Sequence, residues 1–133
     1  MRTMVSTTRT LASTPNAGHG ANTPAHPITT YAEFWPYYLR EHAKPATRAW
    51  HYAATVVSLV ALLGLLTSGN PVWLAVALFG SYGLAWVSHF FIEKNQPATF
   101  RYPLWSLASD YRMFFAWIGG KLPAELRRAG VRD

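Results

Sequence analysis

The sequence contains no cysteine and few charged residues, and charge is missing altogether from its middle. Without cysteine the chain can form neither a disulfide nor a thiolate metal site, and the redox compartment stays open. Charged residues make up 14% of the chain, against roughly 25% in soluble domains. Residues 49–92 contain no Asp, Glu, Lys or Arg. These absences disfavour a soluble globular domain.

The uncharged stretch is about twice the ~20 residues with which a helix crosses a bilayer. Ser68-Gly69-Asn70-Pro71 breaks it near its middle. It therefore predicts two membrane-spanning helices joined by a tight turn, one from about Trp50 to Thr67 and one from about Val72 to Ile92. The alternative is a buried hairpin of a soluble protein. Burying two uncharged helices on all sides would take a larger body than 133 residues supply.

Basic residues flank both outer ends of the predicted hairpin. Lys44 and Arg48 precede it, Lys94 and Arg101 follow it, and the turn carries none. The positive-inside rule then places both termini in the cytoplasm, at the inner membrane if the source is bacterial. The net charge of +6 suits contact with anionic headgroups. Nucleic-acid binding is not expected, because no groove-reading or phosphate-cradling motif is present.

Composition divides the chain into three parts. Residues 1–28, rich in Ser, Thr, Ala, Gly and Pro, predict a disordered tail. Residues 29–121 predict a helical membrane domain, and residues 122–133 a short, frayed basic tail. His19 and His26 fall in the first part, where nothing would hold them in a fixed geometry, so neither is assigned to a site.

An aromatic segment precedes the hairpin. Thr30 and Glu33 fit a capping box that opens a helix running to His42. Pro36 within it predicts a kink or a late helix start. Because aromatic rings sit well at headgroup level, we expect this helix to lie at the membrane interface.

A second amphipathic segment follows the hairpin. Pro103 near its start and Gly119-Gly120 at its end bracket a helix. Asp110 and Arg112 make it a poor spanning segment, so it is predicted to cover the cytoplasmic face. The fold class is therefore all-α, a transmembrane hairpin with flanking interfacial helices.

Two histidines fall at equal depth in the predicted hairpin. His51 precedes Asn70 by as many residues as His89 follows it, and at ~1.5 Å per residue both lie roughly 28 Å from the turn. That distance reaches the far edge of a ~30 Å hydrocarbon layer. His42 reaches the same edge from the preceding segment, and Glu93 follows His89 by about one helical turn. We expect three imidazoles and one carboxylate to converge at the cytoplasmic face.

Imidazoles and a carboxylate with open coordination positions are typical ligands of a non-haem Fe(II) centre, and zinc accepts the same groups. Asp110 can orient a ligand imidazole from outside such a site, or it can pair with Arg112. Haem held between His51 and His89 is a second hypothesis, which leaves the third histidine and Glu93 without a role. The third hypothesis is a non-enzymatic membrane scaffold or partner protein, in which the histidines are ordinary interfacial residues.

Four blocks of the sequence carry a resemblance to a known family. They are Phe34-Trp35-Pro36-Tyr37-Tyr38-Leu39-x-Glu41-His42, Arg48-x-x-His51, His89-Phe90-x-x-Glu93-Lys94-Asn95-x-Pro97-Ala98-Thr99 and Tyr102-Pro103-Leu104-Trp105-Ser106-Leu107-x-x-Asp110-x-x-Met113. Over about residues 30–119 the chain resembles the membrane 2-hydroxy fatty acid dioxygenase family. It departs from the family at Ser88, where glycine is usual, and at Thr47, where asparagine is expected.

The resemblance implies an Fe(II)-dependent enzyme that shortens 2-hydroxy fatty acids by one carbon. Its implied partners are membrane lipid, the fatty-acid substrate and O2. The family's catalytic, iron-binding histidines map onto His42, His51 and His89. Arg48 or Lys94 would pair with the substrate carboxylate, although both are also explained as topology charges.

Overall fold

The computed structural model describes residue 24 and residues 26–132. Within that part every regular element is helical, which confirms the predicted all-α class. Its five helices are α1 (Tyr31–Glu41), α2 (Pro45–Ser68), α3 (Val72–Glu93), α4 (Pro103–Ile118) and α5 (Leu122–Arg128). Two stretches of α3, Val76–Ser81 and Ser88–Glu93, have π-helical geometry. A 3-10 turn, Ala98–Phe100, connects α3 to α4.

A tight turn joins α2 to α3, as predicted. α2 ends at Gly69, whose φ of 64° is a left-handed conformation that glycine adopts without strain. The N–H of Gly69 donates to the Leu65 carbonyl at 2.8 Å. The side-chain oxygen of Asn70 accepts a hydrogen bond from the Val72 N–H at 3.0 Å. The two helices cover both predicted spans.

The hairpin exposes most of its apolar surface. Both α2 and α3 are long and apolar enough to cross a membrane, and only 22% and 17% of their most apolar windows are buried inside the protein. Large side chains such as Leu66 and Phe79 are 74% and 75% exposed. A core helix of a soluble protein would be mostly covered, so this exposure favours the hairpin as a pair of candidate membrane spans.

The buried core lies at the other end of the molecule, around α1. It consists mainly of aromatic and aliphatic side chains from α1, α4 and α5, with the segments next to them: Ile28, Phe34, Trp35, Tyr37, Tyr38, Leu39, Ala98, Met113, Leu122, Leu126, Ala129 and Val131. The rings on this face of α1 pack against α4 and α5 inside the protein and do not project among lipid headgroups. The position of the helix itself at the membrane interface stays a prediction.

The start of α1 follows its sequence signals. The Thr30 hydroxyl accepts a hydrogen bond from the Glu33 N–H at 3.3 Å, and the Glu33 carboxylate accepts one from the Thr30 N–H at 3.2 Å. The predicted capping box is thereby confirmed. Pro36 lies inside the helix, which already begins at Tyr31, so the late start is wrong.

The C-terminal segment is more ordered than expected. Instead of a frayed tail, Leu122–Arg128 forms α5. Leu122 and Leu126 are 3% and 2% exposed, and the Trp35 indole N–H donates to the Glu125 carboxylate at 3.1 Å. Apolar residues four apart give this short basic helix one face that packs on α1. Most of residues 1–28, including His19, lies outside the described residues; His26 is exposed.

Candidate metal centre

Three histidines from three different helices meet at the open end of the hairpin. His42 ends α1, His51 lies near the start of α2 and His89 near the end of α3. Their exposures are 1%, 4% and 2%. The Nε2 atoms lie 3.2 Å apart between His42 and His51, 3.2 Å between His51 and His89, and 3.1 Å between His89 and His42. The equal depth of the two hairpin histidines produces the predicted convergence.

The other ring nitrogen of each histidine faces an oxygen. The Nδ1 of His42 lies 2.7 Å from the Tyr38 carbonyl. The Nδ1 of His51 lies 2.8 Å from an oxygen of Asp110. A carbonyl and a carboxylate accept these hydrogen bonds, so in the neutral form of either ring the proton lies on Nδ1.

Asn95 fixes the third ring in the same way. Its side-chain oxygen lies 2.8 Å from the Nδ1 of His89. The orientation of the amide follows from its NH2 group, which donates to the Glu41 carbonyl at 3.1 Å and to the Glu41 carboxylate at 2.7 Å. The amide oxygen is therefore the acceptor for His89, whose proton also sits on Nδ1.

When all three rings are neutral, their Nε2 atoms consequently face one another as lone pairs, without a proton to share. Such an arrangement is unfavourable in a buried site unless a cation lies among them. A metal ion about 2.0–2.1 Å from each nitrogen requires nitrogens roughly 2.9–3.4 Å apart for bond angles between square and tetrahedral. The observed separations of 3.1–3.2 Å lie within that range. The residues therefore fit a metal ion bound on one side by three imidazoles.

Tyr38 connects two of these histidines. Its ring stacks on His42 with centroids 4.0 Å apart, and its hydroxyl donates a short hydrogen bond to the Asp110 oxygen that also serves His51. Burial, reinforced by Asp110, raises the pKa of Tyr38 well above its ordinary value, so the hydroxyl stays protonated. Burial, then the neighbouring imidazoles, hold the pKa of His42 well below its ordinary value. His42 is therefore neutral at physiological pH, the state in which an imidazole can bind a metal ion.

The structure places Glu93 outside this group, which corrects its expected role as a ligand. Its carboxylate accepts hydrogen bonds from the backbone N–H groups of Ala43 and Lys44 at 2.8 and 3.3 Å. It also accepts one from the Thr47 hydroxyl at 2.9 Å. Ala43 and Lys44 lie in the connection just before α2, and Thr47 lies in its first turn, so Glu93 fixes the connection that follows His42.

The two basic residues expected to bind substrate lie in different surroundings. Arg48 is 6% exposed, and its guanidinium donates to the carbonyls of His42 and Ala43 at 3.2 and 2.6 Å. It also lines a cleft of about 490 Å³ between α2, α4 and α5. Lys94 is exposed and ends α3 in a left-handed conformation, with φ of 61°. Of the two, Arg48 lies beside the backbone that holds the cluster.

From the sequence, Asp110 was expected either to orient a ligand imidazole or to pair with Arg112 or another base. In the structure its carboxylate contacts the His51 ring. The guanidinium of Arg112 instead lies over the Trp35 ring, 4.0 Å from its centroid. Asn95 and the Tyr38 carbonyl were missed as holders of the histidines. Both residues belong to the sequence blocks that resemble the family, but their spacing along the chain does not indicate which imidazole each one contacts.

Comparison with known proteins agrees with the resemblance seen in the sequence. No curated protein and no solved structure matches the chain significantly. A family model described as 2-hydroxy-palmitic acid dioxygenase Mpo1-like matches residues 28–122, which is more than half of the chain and includes all three histidines. The protein with this buried histidine cluster thus belongs to the Mpo1-like family.

Proposed function

We propose that the protein is an Fe(II)-dependent dioxygenase that shortens 2-hydroxy fatty acids by one carbon at the membrane surface. The observation that carries this proposal is the buried triangle of histidine Nε2 atoms, 3.1–3.2 Å apart. The family description names 2-hydroxy-palmitic acid and supports the substrate class. The candidate membrane spans beside the cluster support a substrate with a long acyl chain.

His42, His51 and His89 would hold the iron and leave its remaining positions open for small ligands. Bound iron would supply the redox chemistry with O2 that protein side chains lack. Asp110, Asn95 and the Tyr38 carbonyl keep the ligand protons on Nδ1 and hold the rings in orientation. Such outer partners typically contribute 10–100-fold to metal affinity or activity.

The overall reaction balances with O2 as the oxidant. A 2-hydroxy acid, R–CH(OH)–COOH, and O2 give R–COOH, CO2 and water. The bond between C1 and C2 breaks, C2 becomes the new carboxyl carbon, and the substrate delivers four electrons to O2. No external reductant is needed.

The position of the cluster suits an amphiphilic substrate. With both termini in the cytoplasm, the histidines lie at the cytoplasmic edge of the bilayer, so an acyl chain can stay among lipid while its polar end reaches the cluster. Arg48 is our candidate for pairing with the substrate carboxylate, because its buried guanidinium adjoins the His42 backbone. Lys94, at the surface, would attract the acid to this face.

The haem hypothesis fits the geometry less well. Two axial ligands on opposite sides of one iron stand about twice a metal–nitrogen bond apart, roughly 4 Å. The Nε2 atoms of His51 and His89 are 3.2 Å apart, and the His42 ring lies against both. A porphyrin between these two rings would have to displace the third. A non-enzymatic scaffold, in turn, gives no reason for three converging lone pairs.

Metal analysis of anaerobically purified protein tests the proposal, with His89→Ala as the variant and exposed His26→Ala as its matched control. We expect stoichiometric iron in the wild type and His26→Ala, its loss in His89→Ala, and no Soret band. With 2-hydroxypalmitate and O2, mass spectrometry should detect pentadecanoic acid only from the two iron-loaded proteins. Wild-type protein that takes up no metal, or that makes no shortened acid when loaded, contradicts the proposal.

A further inference from the structure

One buried hydroxyl on α4, the helix that carries Asp110, lacks a hydrogen-bond partner among the described residues. Ser106 in α4 is 2% exposed, and its Oγ has no hydrogen-bond partner in the described part of the chain. Its backbone N–H donates to the Tyr102 carbonyl at 2.9 Å, so the helix there is regular. Helical hydroxyls elsewhere bond a carbonyl one turn back, as Thr55 does with His51 at 2.9 Å. An unpaired buried hydroxyl calls for a ligand or a water.

The location of Ser106 points to a ligand of the cluster. Ser106 stands four residues before Asp110, so the two share a face of α4 about one turn apart. On that face Asp110 holds His51. In the other direction, the start of α4 is tied by a short connection to Asn95, which holds His89. Ser106 therefore lies about one helical turn from the residue that holds His51.

We propose that Ser106 is a substrate-binding residue whose hydroxyl donates a hydrogen bond to the carboxylate of a 2-hydroxy acid bound at the histidine cluster. This inference rests on the proposed function. A hydroxyl suits the task because it donates to a carboxylate oxygen and can accept from the neighbouring 2-hydroxyl. Hydrogen bonds to a charged acceptor are roughly twice as strong as neutral ones. The competing occupant is an ordered water.

Ser109 provides a matched control on the same helix. It is 0% exposed, but its hydroxyl is paired with the Tyr31 hydroxyl at 3.0 Å. Removing the Ser106 hydroxyl breaks no hydrogen bond within the described part of the chain, whereas removing that of Ser109 breaks one. The two Ser→Ala variants should therefore change stability and ligand binding in opposite patterns.

The experiment measures binding of 2-hydroxypalmitate to metal-loaded protein under nitrogen by calorimetry, together with metal content and Tm. Ser106→Ala should keep its metal and an unchanged or higher Tm, and bind the acid about tenfold more weakly. Ser106→Thr, which retains a hydroxyl, should bind it nearly as wild type does. Ser109→Ala should have a lower Tm and wild-type affinity.

Unchanged affinity in Ser106→Ala overturns this inference and indicates a water at that position. A fall in Tm or metal content that accounts for the weaker binding also overturns it, because the role is then structural. In both cases the proposed function stands if wild type binds the acid and His89→Ala does not. Wild type that binds no metal, or no acid when loaded, overturns the proposed function and this inference with it.

Discussion

The two ends of this molecule contain similar apolar residues but differ in how much of them is buried. At the head, formed by α1, α4, α5 and the adjoining ends of α2 and α3, Phe34 and Leu39 are completely buried. In the distal hairpin, residues 56–84 around the turn, Leu66 and Phe79 are 74% and 75% exposed. Apolar side chains thus form a protein core at one end and an outer surface at the other. The head buries its apolar side chains within the protein, and the distal hairpin has the exposed apolar surface of a pair of candidate membrane spans.

Packing between the two hairpin helices depends on small residues. A Cβ added at Gly64 would lie 2.3 Å from the Trp73 ring, and one at Gly80 would lie 2.9 Å from Val57. Close approach of backbones is the usual basis of helix pairing in membranes, where apolar burial between helices gains little. The histidines stand where this arrangement meets the head: the hairpin supplies two of them, and the head supplies the third with most of the groups that orient them.

The largest expected effect is a difference between the two ends in how much a truncated apolar side chain lowers the free energy of unfolding. Phe34→Ala removes a fully buried ring from the head and should lower the free energy of unfolding by about 3–5 kcal/mol. Leu63→Ala, at a side chain that is 63% exposed in the distal hairpin, should cost less than about 0.5 kcal/mol. Denaturant titration of metal-free protein in one detergent measures both.

Equal losses in the two variants would break the comparison, because Leu63 would then be packed against protein rather than detergent. Leu66→Ala, more exposed still, serves as the control for side-chain removal within the hairpin. If both leucine variants behave like wild type and only Phe34→Ala unfolds early, the stability of the molecule resides in the head.

The next effect concerns the boundary between the head and the hairpin, where we expect polar contacts to affect metal affinity more than stability. Asp110→Asn removes the charge beside His51 while keeping an oxygen near its Nδ1. We expect metal affinity to fall 10–100-fold with a small change in Tm. Glu125→Gln is the control, since that carboxylate accepts a hydrogen bond from Trp35 in the head. It should lower Tm slightly and leave metal affinity unchanged; the same loss of affinity in both variants would assign the effect to the fold.

The fold was largely predictable because its signals are local or one-dimensional. Absence of charge over residues 49–92 marks the hairpin, and the residues after Ser68 mark its turn. Equal distances from Asn70 then align His51 with His89 by simple antiparallel geometry. These inferences need only a count along the chain.

What could not be predicted depends on contacts between distant segments. Glu93 has the spacing of a ligand, yet backbone N–H groups in the connection between α1 and α2 bind its carboxylate instead. The aromatic face of α1 would suit a membrane interface or a protein core. In the structure it belongs to the core, because α5 covers Trp35. The sequence of the short basic segment that forms α5 does not predict this packing, because the face of α1 that it covers lies about ninety residues earlier.

The smallest effect lies at the start of α1 and tests whether the head depends on pH through its capping box. Hydrogen bonds from the Thr29 and Thr30 backbones lower the pKa of Glu33 below its ordinary value of 4.5. The stabilisation is therefore fully present above pH 4.5 and is lost as the pH falls through the lower folded-state pKa. Glu33→Gln should lower Tm slightly at pH 7, and its difference from wild type should shrink toward zero in acid. Thr30→Ala removes the cap and leaves the titrating carboxylate in place, so it should lower Tm across the whole pH range, slightly more above pH 4.5 because the Thr30 side chain also lowers the pKa of Glu33. A gap between wild type and Glu33→Gln that stays constant down to low pH would show that the glutamate charge contributes nothing, leaving only hydrogen-bond geometry to begin the helix that carries His42.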